Sequence, residues 1–164
     1  MTVSCAPEEL LLENQLCFAL YAASKAMTQA YRPFLEPLGI TYPQYLVFLV
    51  LWEEDNISLK RLGERLLLDS GTLTPLIKRL EKEGFVSRQR AKDDERELRL
   101  QLTQKGQDLK NAALSVPQGM MCMNEIPVAD LERLRGELKA LLQQLLRGMN
   151  QKKKSQRRSS PETD

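Results

Sequence analysis

Cys17 is followed by tyrosines at positions 21, 31, 42 and 45, which are all four that the chain contains. Thiol and phenol together support one kind of chemistry. A phenol hydroxyl donates a hydrogen bond to a thiolate and favours that charged form, even among apolar neighbours. A thiolate in an apolar, partly accessible pocket suits attack on a lipophilic peroxide. Reach decides which tyrosines qualify. Tyr21 is one turn from Cys17, whereas Tyr31 lies roughly 21 Å further along a straight helix. Tyr31 therefore cannot touch the sulfur of its own chain. Antiparallel packing of two copies through this segment would bring the partner subunit's Tyr31 to Cys17, and the partner subunit's Tyr42 could follow from the next helix. The plainer alternative stays open: Cys17 as a small buried hydrophobe, the tyrosines as packing aromatics with wet hydroxyls.

A second constellation suits a duplex. Ser70, Thr72 and Thr74 precede Lys78 and Arg79 on one helical stretch, placing short polar groups ahead of cations. Ser and Thr face base edges or phosphates, while Lys and Arg supply affinity through counterion release. Further on, Arg88, Arg90, Lys92 and Arg96 sit on a predicted narrow β-ribbon, able to follow a backbone or enter a minor groove. Taken alone, the helical residues also fit an ordinary solvated face.

Composition removes other classes. There is no histidine, so the usual general base and the commonest metal ligand are missing, and no cofactor or metal is expected. The three cysteines, Cys5, Cys17 and Cys122, form no CxxC pair and argue against a structural disulfide framework. The longest apolar run, Tyr45 to Trp52, has eight residues, against the roughly 20 that span a bilayer. No secretion signal precedes it, so a cytoplasmic protein without a membrane partner is expected. The net charge is only +2, yet Lys60 to Arg96 holds ten Lys/Arg against seven Asp/Glu. Any nucleic-acid surface is a local patch.

Several elements must position these residues. Spacings of three and four through Cys17, Leu20, Ser24, Met27, Tyr31 and Phe34 predict a helix over 8–36, ended by Pro37 and Gly39. A second helix starts at Thr41–Tyr42–Pro43 and is apolar nearly all round, hence buried. Ser58 caps a short helix, and Asp69 and Ser70 open the next, although Pro75 by local rules alone would start it after Thr74. Phe85 and Val86 begin one strand, and Leu98, Leu100 and Leu102 alternate with polar residues in another. Thr103 caps a helix to about Val116. After Pro117–Gln118–Gly119 a last helix follows Pro127, its leucines at 131, 134, 138, 141 and 145 spaced as a coiled-coil seam. The expectation is mainly α with a β-hairpin wing: one domain over 1–150, its winged helix at about 56–103, dimerisation helices at about 8–36 and 127–150, and a disordered basic tail over 151–164.

The run from Leu68 through Val86, followed by Arg88-x-Arg90, Asp94-x-Arg96 and Leu102-Thr-x-x-Gly106, resembles the MarR family of bacterial regulators over roughly Leu11 to Leu146. The resemblance implies a homodimeric winged helix-turn-helix on double-stranded DNA at an inverted repeat. It starts the recognition helix near Ser70, overriding the local choice at Pro75, and it sends Arg96 into the minor groove, oriented by Asp94. Asn14 to Ser24, Ala30-Tyr-Arg-Pro and Gly39-Ile-Thr-Tyr-Pro-Gln-Tyr are similar to the organic hydroperoxide resistance regulators within that family. By that resemblance Cys17 is the peroxidatic sensor, Tyr31 and Tyr42 of the partner subunit hydrogen-bond its sulfur, organic hydroperoxides are the signal, and Cys122 is the intersubunit resolving cysteine of two-cysteine members. Cys5 has no counterpart. Two alternatives remain: a MarR-type regulator released by a phenolic or lipophilic ligand, and a thiol peroxidase, disfavoured because no arginine or threonine lies within a few residues of Cys17.

Overall fold

The computed structural model describes residues 7–90, 98–124 and 126–158. It divides into two compact units, Met1–Met120 and Met121–Asp164, where one domain over 1–150 is expected.

The first unit opens with two 3-10 turns, Glu8–Leu10 and Leu12–Asn14, and only then the helix α1, Leu16–Leu35. The expected start at Glu8 is therefore eight residues early. The cause is local. Asn14 Nδ2 donates to the carbonyl of Glu8 at 2.9 Å and Gln15 Nε2 to that of Glu9 at 2.7 Å, so side chains satisfy carbonyls that a continuous helix would have used. Gly39, at φ +69°, turns the chain after a 3-10 turn over Glu36–Leu38. The helix α2, Tyr42–Glu53, follows and buries Tyr45, Val47, Phe48, Val50 and Leu51, as its all-round apolar pattern demands.

Next come a two-residue strand β1, Ile57–Ser58, and α3, Leu59–Leu66, capped by Ser58 Oγ accepting from Arg61 N–H at 3.2 Å. The helix α4 spans Ser70–Lys82 with Pro75 inside it. Asp69 caps it, Oδ1 accepting from the Thr72 N–H at 2.9 Å. Pro75 removes one helical hydrogen bond; burying Leu73, Ile77 and Leu80, each at most 3% exposed, outweighs that loss.

Strands β2, Val86–Arg90, and β3, Leu98–Leu102, pair antiparallel with Arg88 opposite Leu100 and Arg90 opposite Leu98. β1 adds to the far edge of β3, giving the order β1-β3-β2. Two residues are too few to show a period, so sequence reading misses β1.

Thr103 caps α5, Gln104–Ala113, and α6 runs Ser115–Asn124. A break at Pro117–Gln118–Gly119 was expected. Instead Pro117 occupies the first turn of α6, where its missing N–H is harmless, and the bare Gly119 lets the Phe34 ring approach; a Cβ there would collide with it. The last helix, α7, runs Val128–Arg158, so eight residues assigned to a disordered tail are helical. Gln, Lys and Arg are good helix formers, and their polarity alone does not imply disorder. Among the described residues no single helix is long and apolar enough to cross a membrane.

Candidate functional site

Cys17 sits in the first turn of α1 as an exposed free thiol. Tyr31 lies near the other end of the same uninterrupted helix, so the two are far apart within one chain. Tyr31 meets Tyr42 instead, with ring centroids 4.8 Å apart and planes at 47°. Tyr45 joins them, 5.9 Å from Tyr31 and 6.5 Å from Tyr42, and Trp52 backs Tyr45 at 6.3 Å. Sequence reading assigned Tyr45 to the core alone; its place one turn after Tyr42 was the signal that it shares the face.

Burial pushes the phenol pKa of all three upward, and for Tyr42 and Tyr45 the neighbouring tyrosines add to the rise. A raised phenol stays protonated at neutral pH, so each hydroxyl remains a donor. Beside the cluster a cavity of about 530 Å³ opens between α1 and α2, lined by Thr28, Arg32, Leu35, Ile40, Tyr42 and Pro43 among others. α1 leaves Leu16, Phe18, Tyr21 and Met27 exposed.

Cys122 is also exposed and free. It lies within α6, between Gly119 and Pro127, where the sequence predicts no helix.

The second surface is built on α4 and the ribbon. Ser70 and Thr72 are exposed at its start, while Thr74 is half-buried and lines a cleft against α3 with Ser70 and Lys60. The Thr72 hydroxyl donates to Asp69 Oδ2 at 3.0 Å, so it braces the cap as well as facing outward. Hydrogen bonds from Thr72, its N–H first, hold the Asp69 carboxyl below its ordinary range. Lys78 is exposed, and makes no ion pair with a described residue. Arg79 is different: its Nε donates to Glu83 Oε1 at 3.0 Å. Arg88 is half-buried and its Nε donates to Glu81 Oε2 at 2.8 Å. Arg90 is exposed near the end of β2. Asp94 and Arg96 lie outside the described residues, as does Cys5.

The family described as transcriptional regulator SarA/Rot matches residues 29–113. The organic hydroperoxide resistance transcriptional regulator of Bacillus subtilis is 46% identical over 138 residues, 84% of this chain and 94% of that protein. This chain is a MarR-family transcriptional regulator of the SarA/Rot type. Solved relatives agree. Reduced AbfR bound to DNA is 40% identical with a TM-score of 0.69, covering 85% of this chain and 97% of that one. Disulfide-formed AbfR is 41% identical with a TM-score of 0.58, covering 82% and 95%. In this MarR-family winged helix, α3 and α4 form the helix-turn-helix and the β2–β3 ribbon is the wing.

Proposed function

We propose that this regulator is a cytoplasmic homodimeric repressor that holds an inverted-repeat operator and releases it when an organic hydroperoxide oxidises Cys17. The observation that carries the reading is the cluster of Tyr31, Tyr42 and Tyr45, packed together and beyond reach of its own chain's Cys17. Such a cluster serves the thiolate of a second copy packed antiparallel along α1. The exposed apolar residues at 16, 18, 21 and 27 of α1 supply a surface for that packing.

The chemistry balances without a cofactor. The Cys17 thiolate attacks the distal peroxide oxygen; an S–O bond forms as the O–O bond breaks. Sulfur loses two electrons and becomes a sulfenic acid, and the alkoxide takes a proton and leaves as an alcohol. In the two-cysteine form of this reading, the thiol of Cys122 of the partner subunit then attacks the sulfenic sulfur. A disulfide forms and water departs. On DNA, Ser70, Thr72 and Thr74 face the major groove, Lys78, Arg79, Arg88 and Arg90 act on phosphates or position the wing, and Arg96 enters the minor groove oriented by Asp94.

A gel shift on the protein's own upstream DNA, with and without cumene hydroperoxide, tests the proposal. Wild type should bind and then release, and Cys17→Ser should bind and ignore peroxide. A Cys17→Ser protein that still releases DNA overturns the assignment. The cavity beside Tyr42 favours one second reading, release by a phenolic or lipophilic ligand that fills it, which predicts release without oxidant.

A further inference from the structure

Gln44 is the one buried polar side chain among the described residues, 1% exposed. An apolar residue of equal length would fill that volume without needing partners, whereas a buried amide is tolerated only when its polar atoms are paired. Its partners join two elements with different tasks. Gln44 Oε1 accepts from the N–H and the hydroxyl of Thr41, at 2.8 and 3.0 Å, at the start of α2 next to Tyr42. Gln44 Nε2 donates to Glu83 Oε2 at 3.0 Å. The other carboxylate oxygen, Oε1, accepts from Arg79 Nε at 3.0 Å on α4. The carbonyl of Glu83 accepts from Lys105 Nζ at 2.8 Å, which anchors that residue at the end of α4. A continuous chain of hydrogen bonds therefore runs from Thr41 through Gln44 and Glu83 to Arg79.

We propose that Gln44 and Glu83 are positioning residues for DNA binding, the link through which the first turn of α2 sets Arg79 on the recognition helix. The proposal rests on the DNA-binding reading and on no part of the peroxide reading. With Gln44 in place, the Glu83 carboxylate is divided between the amide and Arg79, and the guanidinium keeps one edge for a phosphate. A shift of the first turn of α2 lengthens the Gln44–Glu83 bond beyond hydrogen-bonding range. Glu83 is then no longer held by the amide, and Arg79 loses the fixed carboxylate that aims the free edge of its guanidinium at a phosphate. The same shift is what displacement of Tyr42 would produce, so the link connects the tyrosine cluster to the groove-facing helix.

The test is operator binding by the reduced, full-length protein, measured by fluorescence anisotropy on its own upstream DNA. Gln44→Met keeps the side-chain length and removes the link. It should weaken binding about fivefold, and the loss should vanish in an Arg79→Ala background, the non-additivity expected of residues acting through one another. Glu83→Ala separates the link from simple charge repulsion. Removing a carboxylate that only repels DNA raises affinity, whereas the link requires a fall of about fivefold. Glu83 is partly exposed, so this variant carries the test if Gln44→Met fails to fold. Additive effects of Gln44→Met and Arg79→Ala, or an unchanged or higher affinity for Glu83→Ala, overturn the proposal. Failure of the wild type to bind DNA overturns the DNA-binding reading and this proposal with it.

Discussion

Arg88 on the wing strand donates through Nε to Glu81 of the recognition helix at 2.8 Å, so a residue expected to serve phosphates is also a strut between the two DNA-binding elements. Lys78 and Arg90 carry no such partner among the described residues. Lys78→Ala and Arg90→Ala should each flatten the salt dependence of operator binding by about one unit of slope, as the loss of one phosphate contact does. Arg88→Ala should change the slope less. Arg96→Ala should weaken binding by about 1–3 kcal/mol. Titrations at several salt concentrations check all four, and equal slopes for the Arg88 and Lys78 variants would mean that Arg88 lets go of Glu81 on DNA.

The same ion pair makes a pH prediction. Arg88 holds the Glu81 carboxyl below its ordinary range. A carboxyl lowered on folding stabilises the protein fully above the ordinary carboxylate range, and that stabilisation is lost as pH falls through the lowered value. Wild type should therefore melt above Glu81→Gln at pH 7, and the gap should close in acid. Thermal unfolding of both proteins across that range measures it; a gap that persists at the lowest pH would refute the charge origin.

Tyr31 and Tyr42 should matter for oxidation and not for DNA. A hydrogen bond to a charged group is worth about 1.5–3 kcal/mol, so Tyr31→Phe and Tyr42→Phe should each slow Cys17 oxidation about tenfold or more. Sulfenic-acid trapping with time-resolved mass spectrometry gives the rate. Operator affinity of the reduced variants should stay near wild type, since each substitution removes only a hydroxyl and leaves the ring packed at the start of α2 or on α1.

Much of this arrangement is legible in the sequence because it repeats. The spacing of three and four along α1 and the alternation at Leu98, Leu100 and Leu102 mark those elements, and Ser58 and Asp69 mark helix starts by their side-chain chemistry. What is missed has no period or is decided at a distance. Asn14 and Gln15 cap carbonyls of the preceding turns, β1 is two residues long, and Pro117 and Gly119 read as a break until Phe34 is seen against the glycine. At the site, spacing separates Tyr31 from its own Cys17, but not the grouping with Tyr45, which depends on how α1 and α2 pack. The acid partner of Arg88 likewise emerges only when the recognition helix and wing are in place.

Leu134, Leu138, Leu142 and Leu145 of α7 are each at least 39% exposed in the single chain, along a seam that sequence periodicity assigns to a dimer. Leu138→Arg with Leu142→Arg should convert the dimer to a monomer at micromolar concentration and remove high-affinity operator binding, because one half-site is then left unfilled. Sedimentation velocity reads the mass. A dimer that survives both charges would place the interface elsewhere.

Cys122 lies three residues after Gly119 within α6, so a disulfide with Cys17 of the partner subunit must be made from a helix and not from a loose linker. A disulfide holds its Cα atoms about 4.4–6.8 Å apart, and a side chain on a formed helix has little freedom to search for that distance. The last turn of α6, Met121 to Asn124, has the cheapest helical hydrogen bonds to break, since its final carbonyls lack partners within the helix. Oxidation should therefore unwind that turn while the start of α6, held by Gly119 against Phe34, stays helical. Hydrogen exchange should show faster exchange confined to 121–124 after one equivalent of organic hydroperoxide. Non-reducing electrophoresis should show a band at dimer mass that Cys17→Ser and Cys122→Ser each abolish. A band at monomer mass from oxidised wild type, with no Cys17–Cys122 peptide in its digest, would make Cys122 a bystander and leave Cys17 to be capped by a small cellular thiol.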